Sequence, residues 1–234
     1  MKTKQEYTLR SKRNSRELSW LERQNRRVLL CRRCPRLRSF CEQISREKRA
    51  AFRTENYHAK PVPNFGDSKA RLLIVGLAPG AHGSNRTGRM FTGDRSGQWL
   101  YRALYDTGFA SQPTWESPDD GLVLQDCLIT AICRCAPPKN KPLPSEIENC
   151  SDYLIETLRK TPWKVIVALG ALAYREVGKR LQVKLSRFAH GIENLLPDSR
   201  IVIASYHPSQ QNTFTGKLTA EMLKEVFVRA KRYL

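Results

Sequence analysis

Four cysteines have the spacing of a metal site. Cys31 and Cys34 form a Cys-x2-Cys pair, and a Pro-rich segment separates Cys135 from Cys150. Each pair can place two thiolates on one metal centre, so together they could bind zinc or a [4Fe–4S] cluster. Spacing alone does not choose between the two, and Cys133 competes for the third ligand position. In a reducing compartment such thiols are metal ligands or free thiols rather than disulfides.

A glycine-rich segment at residues 76–94 indicates a ligand pocket. Its glycines let the main chain approach a ligand closely and present N–H groups to an anion. The segment matches neither the phosphate-binding loop nor the dinucleotide fingerprint, which argues against a nucleoside triphosphate site. Within it, Phe91 lies among glycines and polar residues. That position favours a ring that stacks on an unpaired base.

A third segment, residues 205–217, carries a histidine that could act in catalysis. His207 follows an apolar run and precedes Pro208. It is therefore well placed to donate a hydrogen bond to charge that develops on a leaving group. The polar residues that follow suit contacts to phosphates or base edges; they are Ser209, Gln210, Gln211 and Asn212.

The secondary-structure elements that must position these segments indicate an α/β protein. Apolar runs predict strands at 71–75, 122–131, 165–169 and 200–205, and helical patterns occupy 97–107, 145–159, 171–181 and 218–230. Apolar strands that alternate with helices predict a mostly parallel four-stranded sheet covered on both faces. Ligand sites in such sheets form beyond the carboxyl ends of the strands. The glycine-rich segment and His207 both follow a predicted strand end.

The net charge and the length of the chain limit the functions and the number of domains it can have. The 234 residues include 41 Lys and Arg against 22 Asp and Glu, a net charge of +19. Such a charge favours a nucleic acid as the partner, because Lys and Arg gain affinity by neutralising phosphates. We expect a basic extension at 1–27, flexible or partly helical, and one domain at 28–234. The sequence shows neither a membrane span nor a signal peptide, so we expect a soluble, cytoplasmic, nucleoid-associated monomer.

Taken together, these motifs resemble the family 5, or type B, uracil-DNA glycosylases. The resemblance runs from Cys31 to the C-terminus. It is carried, in order, by residues 31–37, 61–66, 76–97, 134–140 and 207–216. It implies a three-layer α/β/α sandwich and a [4Fe–4S] cluster on Cys31, Cys34, Cys135 and Cys150. It also implies a monofunctional glycosylase without lyase activity that removes uracil and other deaminated bases, including hypoxanthine, from DNA.

The resemblance also implies roles for individual residues. Residues 76–85 would form the base pocket and the water-binding loop, Phe91 would stack on the flipped base, and His207 would hydrogen-bond its carbonyl oxygen. Asn85 is the first candidate for holding the attacking water, and Asp94 is the second. The substrate-binding set is completed by Ala78, Gly80, Ala81, His82 and Ala131. The DNA-binding set is Arg86, Arg89, Lys217 and the 209–212 loop.

Two positions depart from the superfamily pattern. Ala78 stands where other glycosylases of the superfamily place an Asp that orients water. Ala131 stands where relatives often carry an Asn that reads the uracil edge. Because a missing side chain removes base-specific hydrogen bonds, we expect relaxed base specificity.

Two other functions fit parts of the sequence. The main alternative is a non-catalytic nucleic-acid-binding protein whose four cysteines hold zinc. The other is a glycosylase relative that becomes covalently trapped on the abasic product. That variant typically carries an extra basic insertion near its histidine motif, and no such insertion precedes His207.

Overall fold

The structure is a computed structural model that describes residues 18–234. Residues 1–17, the larger part of the predicted basic extension, lie outside the described residues. The strands are β1 (Phe65–Gly66), β2 (Leu72–Gly76), β3 (Cys127–Ala131), β4 (Val165–Leu169), β5 (Glu193–Leu195) and β6 (Ile201–Ser205). The helices are α1 (Trp20–Leu29), α2 (Pro35–Glu47), α3 (Ser84–Thr87), α4 (Arg95–Asp106), α5 (Pro144–Lys160), α6 (Ala171–Leu181), α7 (Gln210–Phe214) and α8 (Ala220–Lys231), with 3-10 turns at Ala50–Phe52 and Pro138–Asn140.

The strands form one sheet in the order β1-β3-β2-β4-β6-β5. Its four central strands are parallel, and they correspond to the four strands predicted from the sequence. The sheet nevertheless has six strands rather than four, because β1 and β5 pair antiparallel at its two edges. These edge strands are two and three residues long. So short a segment carries no readable hydrophobic period, which is why the sequence did not reveal them.

Helices cover both faces of the sheet, which confirms the predicted three-layer sandwich. Leu72 and Ile74 of β2 pack on one face in a core shared with α4 and α8. Leu73 and Val75 point to the other face and pack with α5 and α6. All four side chains are buried, and each such burial stabilises the fold by about 2 kcal/mol. No helix within residues 18–234 is long and apolar enough to cross a membrane.

The end of the predicted extension is helical. Ser19 caps α1, because its hydroxyl accepts from the Glu22 main-chain N–H while the Glu22 carboxylate accepts from the Ser19 N–H. Leu21, Gln24 and Val28 recur at helical spacing and are buried. Helix α1 thereby packs against α5, and the chain then continues into the first cysteine pair.

Candidate active site

A cavity of about 720 Å³ opens at the carboxyl ends of the central strands. This is the edge of the sheet where an α/β fold is expected to bind its ligands. Most of the residues predicted for the site line the cavity, namely Ala78, Gly80, Ala81, His82, Phe91, Asp94, Ala131, His207, Ser209, Gln210 and Gln211. Asn85, Arg86, Arg89, Asn212 and Lys217 do not line it.

Phe91 and His207 meet inside the cavity. Their rings are stacked, with centroids 5.7 Å apart and planes inclined by 30°. Phe91 takes a left-handed backbone conformation with φ 54°. Its position depends on two glycines, because a Cβ on Gly76 would lie 2.8 Å from the Phe91 ring and one on Gly97 would lie 1.8 Å from the Phe91 carbonyl oxygen. The glycines therefore place the ring across the end of β2.

His207 is a neutral side chain at physiological pH. It lies two residues beyond the end of β6, and burial lowers the pKa of its imidazole to about 4. Its main-chain carbonyl accepts hydrogen bonds from Asn212 Nδ2 at 2.8 Å and from the Ser209 N–H at 2.7 Å. Asn212, predicted as a DNA contact, thus secures the histidine loop from within. The imidazole can act only as a hydrogen-bond donor or acceptor without charge.

Of the two candidates for holding water, the structure brings only Asp94 into the cavity. Its Oδ1 accepts from the Gly97 N–H at 3.1 Å, which caps α4, and burial raises the pKa of the carboxyl. The Asn85 side chain is 1% exposed and points away from the cavity. Its Nδ2 donates to the carbonyls of Ala81 at 3.2 Å and Cys41 at 3.4 Å. Asn85 is the second residue of α3, and the helix directs its amide toward Cys41 of α2.

The two arginines predicted to contact DNA are engaged inside the protein. Arg86 donates to the Glu55 carboxylate and to the Gly93 carbonyl, and its guanidinium lies 3.9 Å from the Phe52 ring centroid. Arg89 forms an ion pair with Asp120 at 2.9 Å. Their side chains are only 7% and 10% exposed. Both arginines therefore brace the glycine-rich loop instead of facing solvent.

Exposed polar residues remain at the mouth of the cavity. Gln210 and Gln211 are exposed on α7 and line the cavity. Lys217 is exposed nearby, with its Nζ 4.8 Å from the Tyr206 ring centroid. Ser209 instead caps α7, because its hydroxyl accepts from the Asn212 N–H at 3.3 Å.

Sequence reasoning missed several residues of the cavity wall. Arg49, Arg95 and Lys139 bring positive charge to it, and Phe52 adds a ring. Lys139 lies in the 134–140 motif, which was a usable signal, whereas Arg49 is one of many basic residues and nothing in the sequence sets it apart. Another missed contact joins the Tyr57 hydroxyl to His82 Nδ1 at 2.9 Å.

The predicted metal ligands lie in two clusters outside the cavity lining: Cys34 packs with Cys135, and Cys31 packs with Cys150. Cys31 and Cys34 precede α2, Cys150 lies on α5, and Cys135 follows β3. Burial raises the pKa of the Cys34 thiol, and its neighbours Cys150 and Cys31 raise it further. No three Cys, His, Asp or Glu side chains among residues 18–234 are grouped closely enough to hold a single metal ion.

The remaining cysteines divide into two kinds. Cys133 adjoins Cys150, and Cys41 packs with Cys34 and Cys135 and donates its thiol to the Ala136 carbonyl at 3.7 Å. Cys127 is fully buried in β3 and packs as a small residue of the hydrophobic core.

A buried arginine next to these thiols fits a negatively charged group. Arg134 lies between Cys133 and Cys135, its side chain is almost completely buried, and all three guanidinium nitrogens lack a hydrogen-bond partner. A buried cation without a partner costs several kcal/mol. Thiolates bound to a metal or cluster would provide the missing negative charge. The donor set and this unpaired cation therefore fit an anionic, thiolate-held group.

The fold and the cavity define an α/β enzyme whose site is shaped for a planar ligand, with a stacking ring and an uncharged imidazole. Residues 63–231 match the family model described as the uracil DNA glycosylase superfamily. The chain is 50% identical to the type-5 uracil-DNA glycosylase of Thermus thermophilus, covering 86% of this chain and 93% of the relative. It is 46% identical to the type-5 enzyme of Mycobacterium tuberculosis, with 89% and 80% covered.

More distant enzymes match a smaller part of the chain. The type-4 uracil-DNA glycosylase of Archaeoglobus fulgidus is 30% identical and covers 63% of this chain and 70% of its own length. The chain belongs to the uracil-DNA glycosylase superfamily and, within it, to the type-5 enzymes. The resemblance stated from the sequence motifs is confirmed.

Proposed function

We propose that this type-5 uracil-DNA glycosylase excises uracil, and also other deaminated bases such as hypoxanthine, from DNA by hydrolysis and without lyase activity. The observation that carries the proposal is that Phe91 and His207 meet in one cavity at the carboxyl edge of the sheet. A base must leave the duplex to reach such a cavity, and an aromatic ring stabilises it there by stacking.

The chemistry follows from charge separation. Cleavage of the N-glycosidic bond leaves a cationic sugar and an anionic base. Main-chain N–H groups of the 76–83 loop and the N–H of the neutral His207 imidazole stabilise the departing base. Asp94 is the carboxylate of the cavity and holds the attacking water, a role that Ala78 cannot perform.

Ala131 supports a broad choice of base. It ends β3, is 2% exposed and lines the cavity. Its methyl group offers no hydrogen bond to a base edge, so no unsatisfied donor penalises hypoxanthine relative to uracil. Ala131→Asn should raise the ratio of uracil to hypoxanthine excision by about tenfold or more, measured as relative single-turnover rates. An unchanged ratio would refute this role.

The positive charge serves DNA binding. We assign phosphate contacts to Arg49 and Lys139 at the cavity wall and to Lys217 nearby, with Gln210 and Gln211 beside the extruded base. We expect the enzyme to act as a monomer on the DNA of the cytoplasmic nucleoid.

The cofactor we propose is a [4Fe–4S] cluster on Cys31, Cys34, Cys135 and Cys150. When bound, it supplies a structural cross-link rather than a reacting group, because none of its four ligands lines the cavity. It would join the start of α2, the segment after β3 and helix α5.

The deciding experiment uses labelled duplexes that carry uracil, hypoxanthine or xanthine. Alkali after incubation should cut at the uracil and hypoxanthine positions, whereas omission of alkali should leave the strand intact. His207→Ala should reduce single-turnover rates far more than DNA affinity. A protein that cuts none of the duplexes and contains zinc instead of iron would support the non-catalytic alternative.

A further inference from the structure

We propose that Arg134 is a positioning residue for the cluster: its buried guanidinium donates hydrogen bonds to the cluster's sulfur atoms and compensates their negative charge. This inference rests on the cluster proposed above. It assigns a role to a side chain that the glycosylase chemistry does not use.

The Arg134 guanidinium is buried and has no hydrogen-bond partner within residues 18–234. Arg134 is 1% exposed, and its Nε, Nη1 and Nη2 have no hydrogen-bond partner among the described residues. Arginine stays charged in proteins, so its five N–H groups need acceptors. Other buried arginines in this fold have them, as the Arg86 contacts to Glu55 and Gly93 illustrate.

The main chain of Arg134 is held in place, and this keeps its side chain from reaching solvent. The Arg134 carbonyl accepts from the Val62 N–H at 2.7 Å. Val62 is itself fully buried. The guanidinium is therefore confined to the region enclosed by the cysteine-bearing segments.

The hydrogen-bond acceptors near the Arg134 guanidinium decide what it can bind. The ionisable groups around the Arg134 guanidinium are the thiols of Cys150 and Cys133 and the phenol of Tyr153, whose hydroxyl donates to the Arg27 carbonyl at 3.3 Å. Glu146, the nearby carboxylate, is already saturated: Arg36 binds both of its oxygens at 2.7 Å, and the Leu143 N–H binds one of them at 2.7 Å. Among these groups, the cysteine sulfurs are the ones that become negatively charged when they bind a metal centre.

The chemistry of the cluster matches this environment. Four thiolates outweigh the positive charge of a [4Fe–4S] core, and hydrogen bonds to its sulfurs tune its stability and potential. A planar guanidinium presents several donors in fixed directions, which an ammonium cannot reproduce. Second-shell partners of this kind typically change metal retention by about 10- to 100-fold when they are removed.

The experiment measures iron release from the purified, iron-loaded protein. An iron chelator is added, and the loss of the visible absorption is followed for the wild type, Arg134→Leu, Arg134→Lys and Arg32→Leu. Arg32 lies between Cys31 and Cys34 and is solvent-exposed, so its variant removes the same charge beside the same cluster. Arg134→Leu should release iron about 10- to 100-fold faster than the wild type, Arg134→Lys several-fold faster, and Arg32→Leu within about twofold of it.

The outcomes separate the two proposals. A wild-type protein without iron and sulfide refutes the cluster itself. A wild type that holds iron while Arg134→Leu releases it no faster than Arg32→Leu refutes the role of Arg134. If Arg134→Leu does not fold, Arg134→Lys decides, because release at the wild-type rate shows that the guanidinium does not hold the cluster.

Discussion

We assign Asp94 and His207 different roles in the cavity, one as an acidic group and the other as an uncharged group. Asp94 accepts from the Gly97 N–H, so one side chain both caps α4 and faces the cavity. His207 is kept neutral by burial alone. In the proposed reaction, a neutral imidazole donates to the departing base without first forming an ion pair with the DNA phosphates. Both roles depend on how deeply each side chain is buried. The sequence alone does not give the burial of an individual residue.

The lowered pKa of His207 predicts how activity responds to pH. Above about pH 4 the imidazole is neutral, so its protonation state does not change between pH 5.5 and 7.5. Single-turnover excision of uracil should therefore show no inflection near pH 6.5, the ordinary pKa of histidine. An inflection there that disappears in His207→Gln would contradict this assignment.

Asp94→Asn tests whether the carboxylate holds the water. Asn is as good a helix N-cap as Asp, so the cap and the fold should be kept. The loss of negative charge should lower the single-turnover rate by about 100-fold or more, while DNA affinity and thermal stability remain near those of the wild type. Asn85→Ser is the comparison, because Asn85 points away from the cavity and its loss should affect stability more than chemistry. A rate equal to that of the wild type in Asp94→Asn would remove Asp94 from the mechanism.

At the scale of elements, helix α4 and strand β2 together position the stacking ring. Gly97 occupies the first turn of α4, where the helix packs directly against the Phe91 main chain, and Gly76 ends β2 beneath the ring. A glycine inside a helix normally costs about 1 kcal/mol relative to alanine. Here the close approach explains its presence, because any side chain would displace the 76–94 loop.

Gly97→Ala should therefore damage the site without weakening the helix. The added Cβ would lie 1.8 Å from the Phe91 carbonyl oxygen, so the main chain must move. We expect uracil excision to fall by about 100-fold, since displacements of this order at a reacting centre have that effect. Gln98→Ala, the next and exposed position of α4, should leave the rate unchanged. Equal rates for the two variants would show that the loop tolerates the shift.

On the scale of the whole molecule, the basic residues serve two purposes. Some, such as Arg86 and Arg89, form ion pairs inside the protein and stabilise the glycine-rich loop. Others, such as Arg49 and Lys139, lie exposed at the cavity wall where a phosphate backbone would pass. The net charge of +19 therefore overstates the charge available to DNA.

The salt dependence of DNA binding distinguishes these two groups. Lys139→Gln should weaken binding to uracil-containing duplexes and lower the slope of log affinity against log salt by about 1, because one phosphate contact is lost. Lys160→Gln changes the charge equally but lies at the end of α5, just before β4 begins and thus at the edge of the sheet opposite the cavity. Its slope should match the wild type. Equal slopes for both variants would show that Lys139 does not contact phosphate.

The sequence by itself determined the four central strands, their helices and the family. Continuous apolar runs and ordered motifs are local signals that survive without coordinates. The same logic placed the cavity, because the ends of parallel strands meet at one edge. Edge strands β1 and β5 escaped detection because two or three residues carry no period.

Only the tertiary structure decided which polar side chains face the cavity and which turn inward. Asn85 and Asp94 occur in the same loop, yet α3 turns one toward α2 while the cap of α4 holds the other in the cavity. Arg86 and Arg134 look alike in sequence, but Arg86 pairs with Glu55, whereas the Arg134 guanidinium has no hydrogen-bond partner among the described residues. The physical reason is that the partner of a charged side chain comes from a distant part of the chain, and residue spacing carries no information about it.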